Sequence, residues 1–479
     1  MTYENFKASR TSRKNYGLLL VVTLFVLGDL AAVMLSFGAG FFTVNLFNPD
    51  GINFKSFVTY WPYLPAFIIV LLLWRLYPGV SVARPEELRR FTIASFLSNS
   101  GIVLSLLIET RHLDPYSLAF ALSWLASILI FMIERGTLRR IFVKSKFWGV
   151  PVAIFGAGKT GRMVVDTLLD RPRIGYKPVV MLDDDPSLEG DYRGVPVLTG
   201  TALGPRLVDE CGIDTAIIAM PGVERVRLAT IVADYVRSFR HYIIIPDLIG
   251  VASLWMSVRD FDGMLGLYTD QQLLIPANIA TKRAIDLVVC FVGGLIVVPV
   301  MAILALLVVI DSPGGAFYRH TRLGRNGRRI SVLKFRSMYS NSAEMLARLL
   351  ETDPDAKAEW ERNYKLKNDP RIPRMGAFLR RTSLDELPQI WNVIRGEMSL
   401  IGPRPIIDGE VEKYGHHYKL FSSVKPGMSG LWQISGRSET DYDERVALDI
   451  FYIQSWSLWL DVYILFKTFV TVFRGKGAY

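Results

Sequence analysis

The chain has 479 residues, 51% of them hydrophobic, and a formal net charge of +10, which allows two to four domains, lipid-facing surface and an anionic partner. Without zinc-finger spacing or an RNA-binding aromatic motif, and with Lys and Arg clustered beside apolar segments, nucleic acid is not an expected partner. The only cysteines, Cys211 and Cys290, exclude a disulfide framework and a Cys-based metal site.

Four apolar stretches fill the first 140 residues, at about 16–45, 60–76, 91–108 and 116–133. Each suffices for the roughly 20 helical residues that cross a bilayer core. The first is too long, and lacks the small-residue exit, for a removable signal peptide. Asp29 falls inside it, so it is expected to be paired within the bundle or to lie near one end. Basic residues alternate between the flanks: Lys7, Arg10, Arg13 and Lys14 precede the first stretch, and the first loop has only Lys55. Arg75, Arg84, Arg89 and Arg90 fill the second loop and Arg111 the third, while Arg135, Arg139, Arg140, Lys144 and Lys146 mark the exit. The positive-inside rule then puts the N-terminus and everything after residue 134 in the cytoplasm.

From Val150 the pattern is that of an α/β unit. "PVAIFGAGKTGRMVV" reads as strand, glycine turn and helix, with Gly156, Gly158 and Gly161 spaced for backbone to approach a pyrophosphate. "KPVVMLDDDP", "TAIIAMP" and "HYIIIPD" supply further strands of a parallel sheet. The acidic residue of a ribose site is due about 20 residues on, whereas Asp183 lies 27 beyond Gly156, in a triplet that also suits an exposed turn. A sugar-nucleotide dehydratase would want a Tyr-x-x-x-Lys pair; Tyr3/Lys7 and Tyr463/Lys467 are not placed to serve this unit. Nucleotide binding and a structural or regulatory fold both remain open readings here.

Residues 287–310 form a fifth apolar run of 24, with Lys282 and Arg283 before it and Arg319, Arg322, Arg325, Arg328, Arg329, Lys334 and Arg336 after it. A full crossing would put that cationic cluster outside. Pro299 sits mid-run, where it removes a helix hydrogen bond, and Gly293 and Gly294 weaken the helix further. The expected solution is a helix that enters from the cytoplasm, bends near Pro299 and returns; an ordinary fifth span is the competing one. Near the end, Trp456, Trp459, Tyr463, Phe466, Val470 and Phe473 recur at helical spacing, as in an interfacial helix or a core helix.

Between these segments the chain is rich in arginine and glycine, as a phosphate-rich substrate requires. In "LRRTSLDELPQ", Ser383 and Glu386 fit a capping box, with Leu387, Ile390, Trp391 and Ile394 as the buried face of the helix it starts. Asp385 and Glu386 can equally bind Mg²⁺, or attack phosphorus to give an acyl phosphate. Asp385, near a helix N-terminus with Arg380 and Arg381 close by, is expected to stay ionised at neutral pH. Gly402-Pro-Arg-Pro405 suits a rigid turn or a phosphate site, and Asp369 a turn. Lys334 and Arg336 suit lipid headgroups or substrate phosphate, and Gln433 and Arg437 the nucleotide or sugar.

Residues from about 281 to 479 resemble the bacterial sugar transferases, the polyprenyl-phosphate hexose-1-phosphate transferases. "KRAIDLVV", "KFRSM", "LRRTSLDELPQIWNVIRGEMSLIGPRP", "KPGMSGLWQISGR" and the terminal "GAY" carry the likeness, and the preceding segments are similar to the family's long form. The resemblance implies a membrane protein in three parts: a four-helix transmembrane bundle over 1–147, a Rossmann-like α/β domain over 148–272, and an α/β monotopic phosphoglycosyl transferase domain over 273–479. The last would carry a re-entrant helix at about 283–310, broken at Pro299, where Val298 stands in place of the family's Ser.

The implied reaction moves galactose- or glucose-1-phosphate from a UDP-hexose to undecaprenyl phosphate, releases UMP, and begins surface polysaccharide synthesis (O-antigen, capsule or exopolysaccharide). Asp385 would be the nucleophile and Glu386 would help hold Mg²⁺; Arg380 and Arg404 would meet phosphate. The implied setting is the bacterial cytoplasmic membrane, among its lipids, with room for a homodimer. The alternatives are a membrane-anchored NAD-dependent sugar-nucleotide dehydratase or oxidoreductase working through Gly156, Gly158 and Gly161, and a non-catalytic assembly regulator.

Overall fold

In the computed structural model, residues 3–10, 16–48, 52, 60, 62–77, 79, 82–145, 148–246, 257–261, 264–268, 271–363, 366, 369–435 and 441–473 are described. The chain divides into two units, Met1–Ile249 and Gly250–Tyr479.

In the first unit, helices α1 (Tyr3–Arg10), α2 (Tyr16–Phe47), α3 (Tyr63–Leu73), α4 (Arg84–Thr110) and α5 (Pro115–Phe142) come first. α2, α4 and α5 are each long and apolar enough to cross a bilayer. Their facing sides interlock through rings, with Phe25 on Phe142, Phe37 and Phe41 on Phe120, and Phe91 on Phe131. With Phe96 also on Trp124, these pairs make α5 antiparallel to both α2 and α4. Outward, Leu35, Leu104, Leu129 and Ile133 are more than half exposed, a surface suited to lipid rather than water.

The expected second span is shorter than its sequence suggests, because α3 has only 11 helical residues. Pro62 precedes its first turn, and Arg75 lies just past its end with a φ of 53°. The segment still runs back along α2: Tyr60 packs on Phe41 and Tyr116 at one end, and the Tyr77 hydroxyl donates to Asp29 at the other. Asp29 is paired within the bundle. Arg135 grips it with both ends of its guanidinium, Nε to Oδ1 at 3.0 Å and Nη2 to Oδ2 at 2.5 Å.

α1 packs on the α/β layer. Phe6 is buried in the α/β core, and Lys7 and Tyr3 both engage Glu210. The N-terminal helix and the α/β layer therefore lie on one side of the bundle, which requires an even number of passes between them.

The sheet has the order β3-β4-β2-β1-β5-β6, built from β1 (Val150–Phe155), β2 (Tyr176–Asp183), β3 (Gly190–Tyr192), β4 (Val195–Thr199), β5 (Thr215–Ile218) and β6 (His241–Ile244). All pairings are parallel except that of β3 with β4. Helices α6 (Lys159–Asp170), α7 (Gly204–Cys211) and α8 (Arg225–Ile231) connect the strands. At the glycine turn, Gly156 has a φ of +104°, and a Cβ on Gly161 would collide with the Gly156 carbonyl. Packing alone therefore demands those two glycines. The aspartate triplet leaves β2 as a turn exposed at Asp184 and Asp185, and hydrogen bonds tie it down. Asp183 accepts from the Ala157 N–H at 2.7 Å, and Asp184 accepts from the Thr201 N–H and hydroxyl.

The second unit opens with the hairpin β7 (Ser257–Phe261) and β8 (Met264–Tyr268), followed by α9 (Pro276–Asp311). α9 starts earlier than expected and continues through Pro299 as one 36-residue helix. Both of its flanks fasten to this unit. On one flank Asp286 accepts from Ser399 and Leu400, Arg283 donates to the carbonyls of Val393 and Ile394, and Lys282 pairs with Asp461. On the other, Leu304 and Val308 pack with Phe335 and Leu379, and Asp311 accepts from the Met375 N–H. Between them Phe291, Leu295 and Ile296 are each over 70% exposed.

The antiparallel pair β9 (Phe317–Leu323) and β10 (Arg329–Phe335) comes next, then α10 (Ser342–Thr352), α11 (Pro354–Asn363), α12 (Arg374–Thr382) and α13 (Ile390–Arg395). Strands β11 (Ser399–Ile401) and β12 (Gly427–Ser429) pair in parallel around the short helices α14 (Val411–Tyr414) and α15 (Tyr418–Ser422). The chain ends with α16 (Leu431–Ser435), α17 (Tyr442–Gln454) and α18 (Leu458–Phe473). α18 packs inward through Leu460, Ile464 and Thr468 rather than through the whole expected stripe. Asp461 sets its rotation by accepting from Tyr452 and Trp456 beneath it.

Candidate functional site

α12 delivers Arg380 in its last turn and stops at Ser383, which takes a left-handed conformation with φ 57°. Residues Leu384–Gln389 then form a 3₁₀ turn carrying Asp385 and Glu386. The capping box is therefore absent. Ser383 makes no side-chain cap, and the Glu386 carboxylate is taken by Lys334 from β10, Nζ to Oε1 at 2.6 Å. The buried face is also displaced. Pro388, Gln389, Asn392 and Val393 are buried, while Trp391 and Ile394 are exposed, because the tighter 3₁₀ turn shifts the phase of α13.

Asp385 is not held low by a helix terminus. Burial pushes its carboxyl up to about 6, and the neighbouring Glu386 adds to this, while Lys334 and Arg380 pull the other way. At neutral pH it remains mostly ionised but much closer to titration than an exposed aspartate. Arg380 is fixed beside it by donating Nε to the Ser337 hydroxyl at 2.9 Å. Among the described residues the site thus presents one carboxylate without a direct ion pair, a second one paired to a lysine, and an arginine (a set able to grip and attack a phosphate).

Arg404 leaves β11 over a turn that must be narrow. A Cβ on Gly402 would sit 2.7 Å from the Gly427 backbone nitrogen, and one on Gly427 would strike Gly402 in return. The Arg404 guanidinium lies over the Trp432 ring at 5.5 Å. Gln433 is the next residue of α16, and Arg437 lies outside the described residues. Arg336 is committed elsewhere, since it donates to the carbonyls of Pro313 and Ser312 and to the Ser312 hydroxyl, clamping the exit of α9. Asp369 is a turn residue, bonded through both oxygens to Arg371. Pro299 lies in the exposed middle of α9, and Gly156, Gly158 and Gly161 belong to the other unit.

Sequence reasoning missed Ser337, His320, Arg322, Arg445 and Asp449 near these groups. Only the strand alternation of β9 could have flagged the first arginine of that set, because Tyr318, His320 and Arg322 share a face. Among the described residues no three His, Cys, Asp or Glu side chains converge. Asp385 and Glu386 follow one another in this turn, and Mg²⁺ takes one or two carboxylates and completes its shell with substrate phosphate and water.

Residues 277–475 match the family described as bacterial sugar transferase. The chain is 39% identical over 372 residues to the UDP-galactose-lipid carrier transferase of Erwinia amylovora, covering 75% of each chain. It is 36% identical over 359 residues to the undecaprenyl-phosphate galactose phosphotransferase of Salmonella typhimurium, covering 74% of this chain and 75% of that one. To the UDP-glucose:undecaprenyl-phosphate glucose-1-phosphate transferase of Escherichia coli it is 34% identical over 340 residues, covering 68% of each.

Proposed function

The chain belongs to the bacterial sugar transferases and is a transferase, and from that premise we propose that it moves hexose-1-phosphate from a UDP-hexose to undecaprenyl phosphate. The sugar is galactose or glucose, and the step opens surface polysaccharide assembly at the cytoplasmic face of the bacterial inner membrane. The observation that carries this reading is the half-buried Asp385 between the Glu386–Lys334 pair and Arg380.

An Asp385 carboxylate oxygen attacks the sugar-linked phosphorus of the donor, the phosphoanhydride bond breaks, and UMP leaves with its electron pair. An oxygen of the lipid phosphate then attacks the aspartyl-bound phosphorus, the acyl–phosphate bond breaks, and the carboxylate is regenerated. No proton need move in either step, so neither requires a general base. Arg380 orients the phosphate, and Lys334 keeps Glu386 from repelling it. Mg²⁺ held by Asp385 and Glu386 would neutralise charge on the phosphates.

α9 supports a membrane element that dips and returns. A straight helix of 36 residues is about 54 Å long; tied at both ends to one compact unit, it would bury its middle, yet here the middle is the exposed part. Pro299 falls there, where a helix bends most readily.

Purified protein with Mg²⁺, UDP-hexose and polyprenyl phosphate should release UMP, and Asp385→Asn should stop the release while leaving the protein folded. Undiminished release from that variant removes Asp385 from the nucleophile role. A panel of UDP-sugars in the same assay identifies the hexose, and the absence of turnover with every one of them returns the chain to a non-catalytic role.

A further inference from the structure

Three guanidinium groups crowd together beyond the Asp385 centre. Arg404 and Arg445 both lie over the Trp432 indole, at 5.5 and 5.0 Å from its centroid. Arg322 and Arg445 share one carboxylate at long range, Glu410, at 3.6 and 3.5 Å. Asp449 lies fully buried beneath, its Oδ2 accepting from the Tyr414 hydroxyl and its Oδ1 without a hydrogen-bond partner among the described residues. Arg445 is 8% exposed, and its Nε and Nη2 have no hydrogen-bond partner among the described residues. The Arg404 guanidinium likewise makes no hydrogen bond among them.

Gathering three like charges with so few close partners is unfavourable unless an anion completes the set. Burial, Arg404 and Arg445 indeed hold the Arg322 guanidinium below its usual range. The group faces the reaction centre along β9. Tyr318, opposite Lys334 in the β9–β10 register, shares a strand face with His320 and Arg322. Two-residue steps put Arg322 about 13 Å along that face, a distance that an arginine side chain reaches halfway back. The field of Glu386 is felt at Arg322.

We propose that Arg322, Arg404 and Arg445, the last two against the Trp432 ring, form a phosphomonoester pocket that holds the phosphate of the departing UMP and then the phosphate of the incoming polyprenyl phosphate. The inference rests on the transferase reading and gives it a second subsite. Attacking and leaving oxygens lie in line across a transferred phosphorus. In the first half-reaction Asp385 attacks and UMP leaves; in the second the lipid phosphate attacks and Asp385 leaves. The lipid phosphate must therefore enter where the UMP phosphate stood. Atoms balance with no further reactant, since each half-reaction exchanges one P–O bond for another.

UMP binding to the full-length protein in detergent, followed by calorimetry, tests the pocket. Arg445→Gln and Arg322→Gln should each weaken UMP by about tenfold or more, as loss of a charge-assisted contact does, while Arg329→Gln, at an exposed arginine paired with Asp408, stays within about threefold of wild type. Should Arg445→Gln fail to fold, the partly exposed Arg404→Gln takes its place. Undecaprenyl phosphate in mixed micelles should displace UMP from the Asp385→Asn protein, and less readily when Arg445 is also replaced. UMP binding unchanged in folded arginine variants overturns the pocket, and failure of the lipid phosphate to displace UMP overturns its shared use. The two readings fail separately. UMP release surviving Asp385→Asn removes the chemistry and leaves the pocket standing, whereas loss of release with undisturbed arginine variants does the reverse.

Discussion

Lys334 Nζ lies 2.6 Å from Glu386 Oε1, so a strand residue 52 positions away neutralises the carboxylate next to the proposed nucleophile. Lys334 also lowers the Asp385 carboxyl directly. Lys334→Met should therefore act twice, by leaving Glu386 to repel the donor and by raising Asp385 further. The UMP-release kcat/KM should fall by about a hundredfold, a typical loss for one stabilising group in a half-buried site, and the acid limb of its pH profile should move upward. A variant with reduced rate but an unmoved acid limb would separate Lys334 from Asp385.

Asp385 itself sets the pH dependence. Its carboxyl is raised from 3.8 to about 6, chiefly by burial, and only the ionised form attacks. The first half-reaction should thus lose rate as pH falls through about 6. For stability the sign is opposite. The folded protein binds this proton more readily than the unfolded chain, so the contribution of Asp385 is greatest below about pH 4 and is lost as pH rises through about 6. Asp385→Asn should accordingly be more stable than wild type at pH 7.5, by about 3 kcal/mol, with the gap closing below pH 4. Melting both proteins across that range checks it, and an Asn variant less stable at pH 7.5 contradicts the burial.

The three glycines of the α/β unit separate packing from ligand binding. At Gly161 a Cβ meets the Gly156 carbonyl, whereas at Gly158 nothing lies within 4 Å and φ is an ordinary −71°. Gly161→Ala should cost about 2–4 kcal/mol through backbone overpacking, and Gly158→Ala less than about 1 kcal/mol. Thermal unfolding of the two variants decides the point. Equal tolerance at both positions would show that the loop is not built on this contact.

The divergence between sequence and structure has a physical pattern. Local period and turn chemistry are visible in a single chain, so the long apolar spans, the strand–glycine–helix turn and the position of the Asp385–Glu386 turn can all be read directly. The features that escape such reading depend on partners far along the chain. Ser383 reads as a cap because its left-handed conformation is imposed only where α12 meets the 3₁₀ turn. Arg336 reads as a headgroup or phosphate residue, and its hold on the Ser312 and Pro313 carbonyls is invisible in the sequence. α1 groups with the spans by adjacency, although Phe6 and Lys7 belong to a layer formed with residues as distant as Glu210. Charges have no period, so Arg322 and Arg445 carry no sign in the sequence that they meet.

Inside the bundle, the Asp29–Arg135 pair gives an asymmetric prediction. Asp29 is 0% exposed and Arg135 1%, and breaking such a pair leaves a buried charge at a cost of about 3–5 kcal/mol. Arg135 has a second acidic neighbour, Glu87 at 3.6 Å, whereas Asp29 falls back on the neutral Tyr77 hydroxyl once Arg135 is gone. Arg135→Gln should therefore destabilise more than Asp29→Asn. Replacing both by leucine should recover much of the loss, since no charge of the pair is then left without a partner. Unfolding in graded detergent mixtures can rank the three proteins. If Arg135→Gln unfolds like wild type, the pair contributes nothing to holding α2 against α5; if the double replacement is the least stable, the charges hold the helices in register beyond their mutual neutralisation.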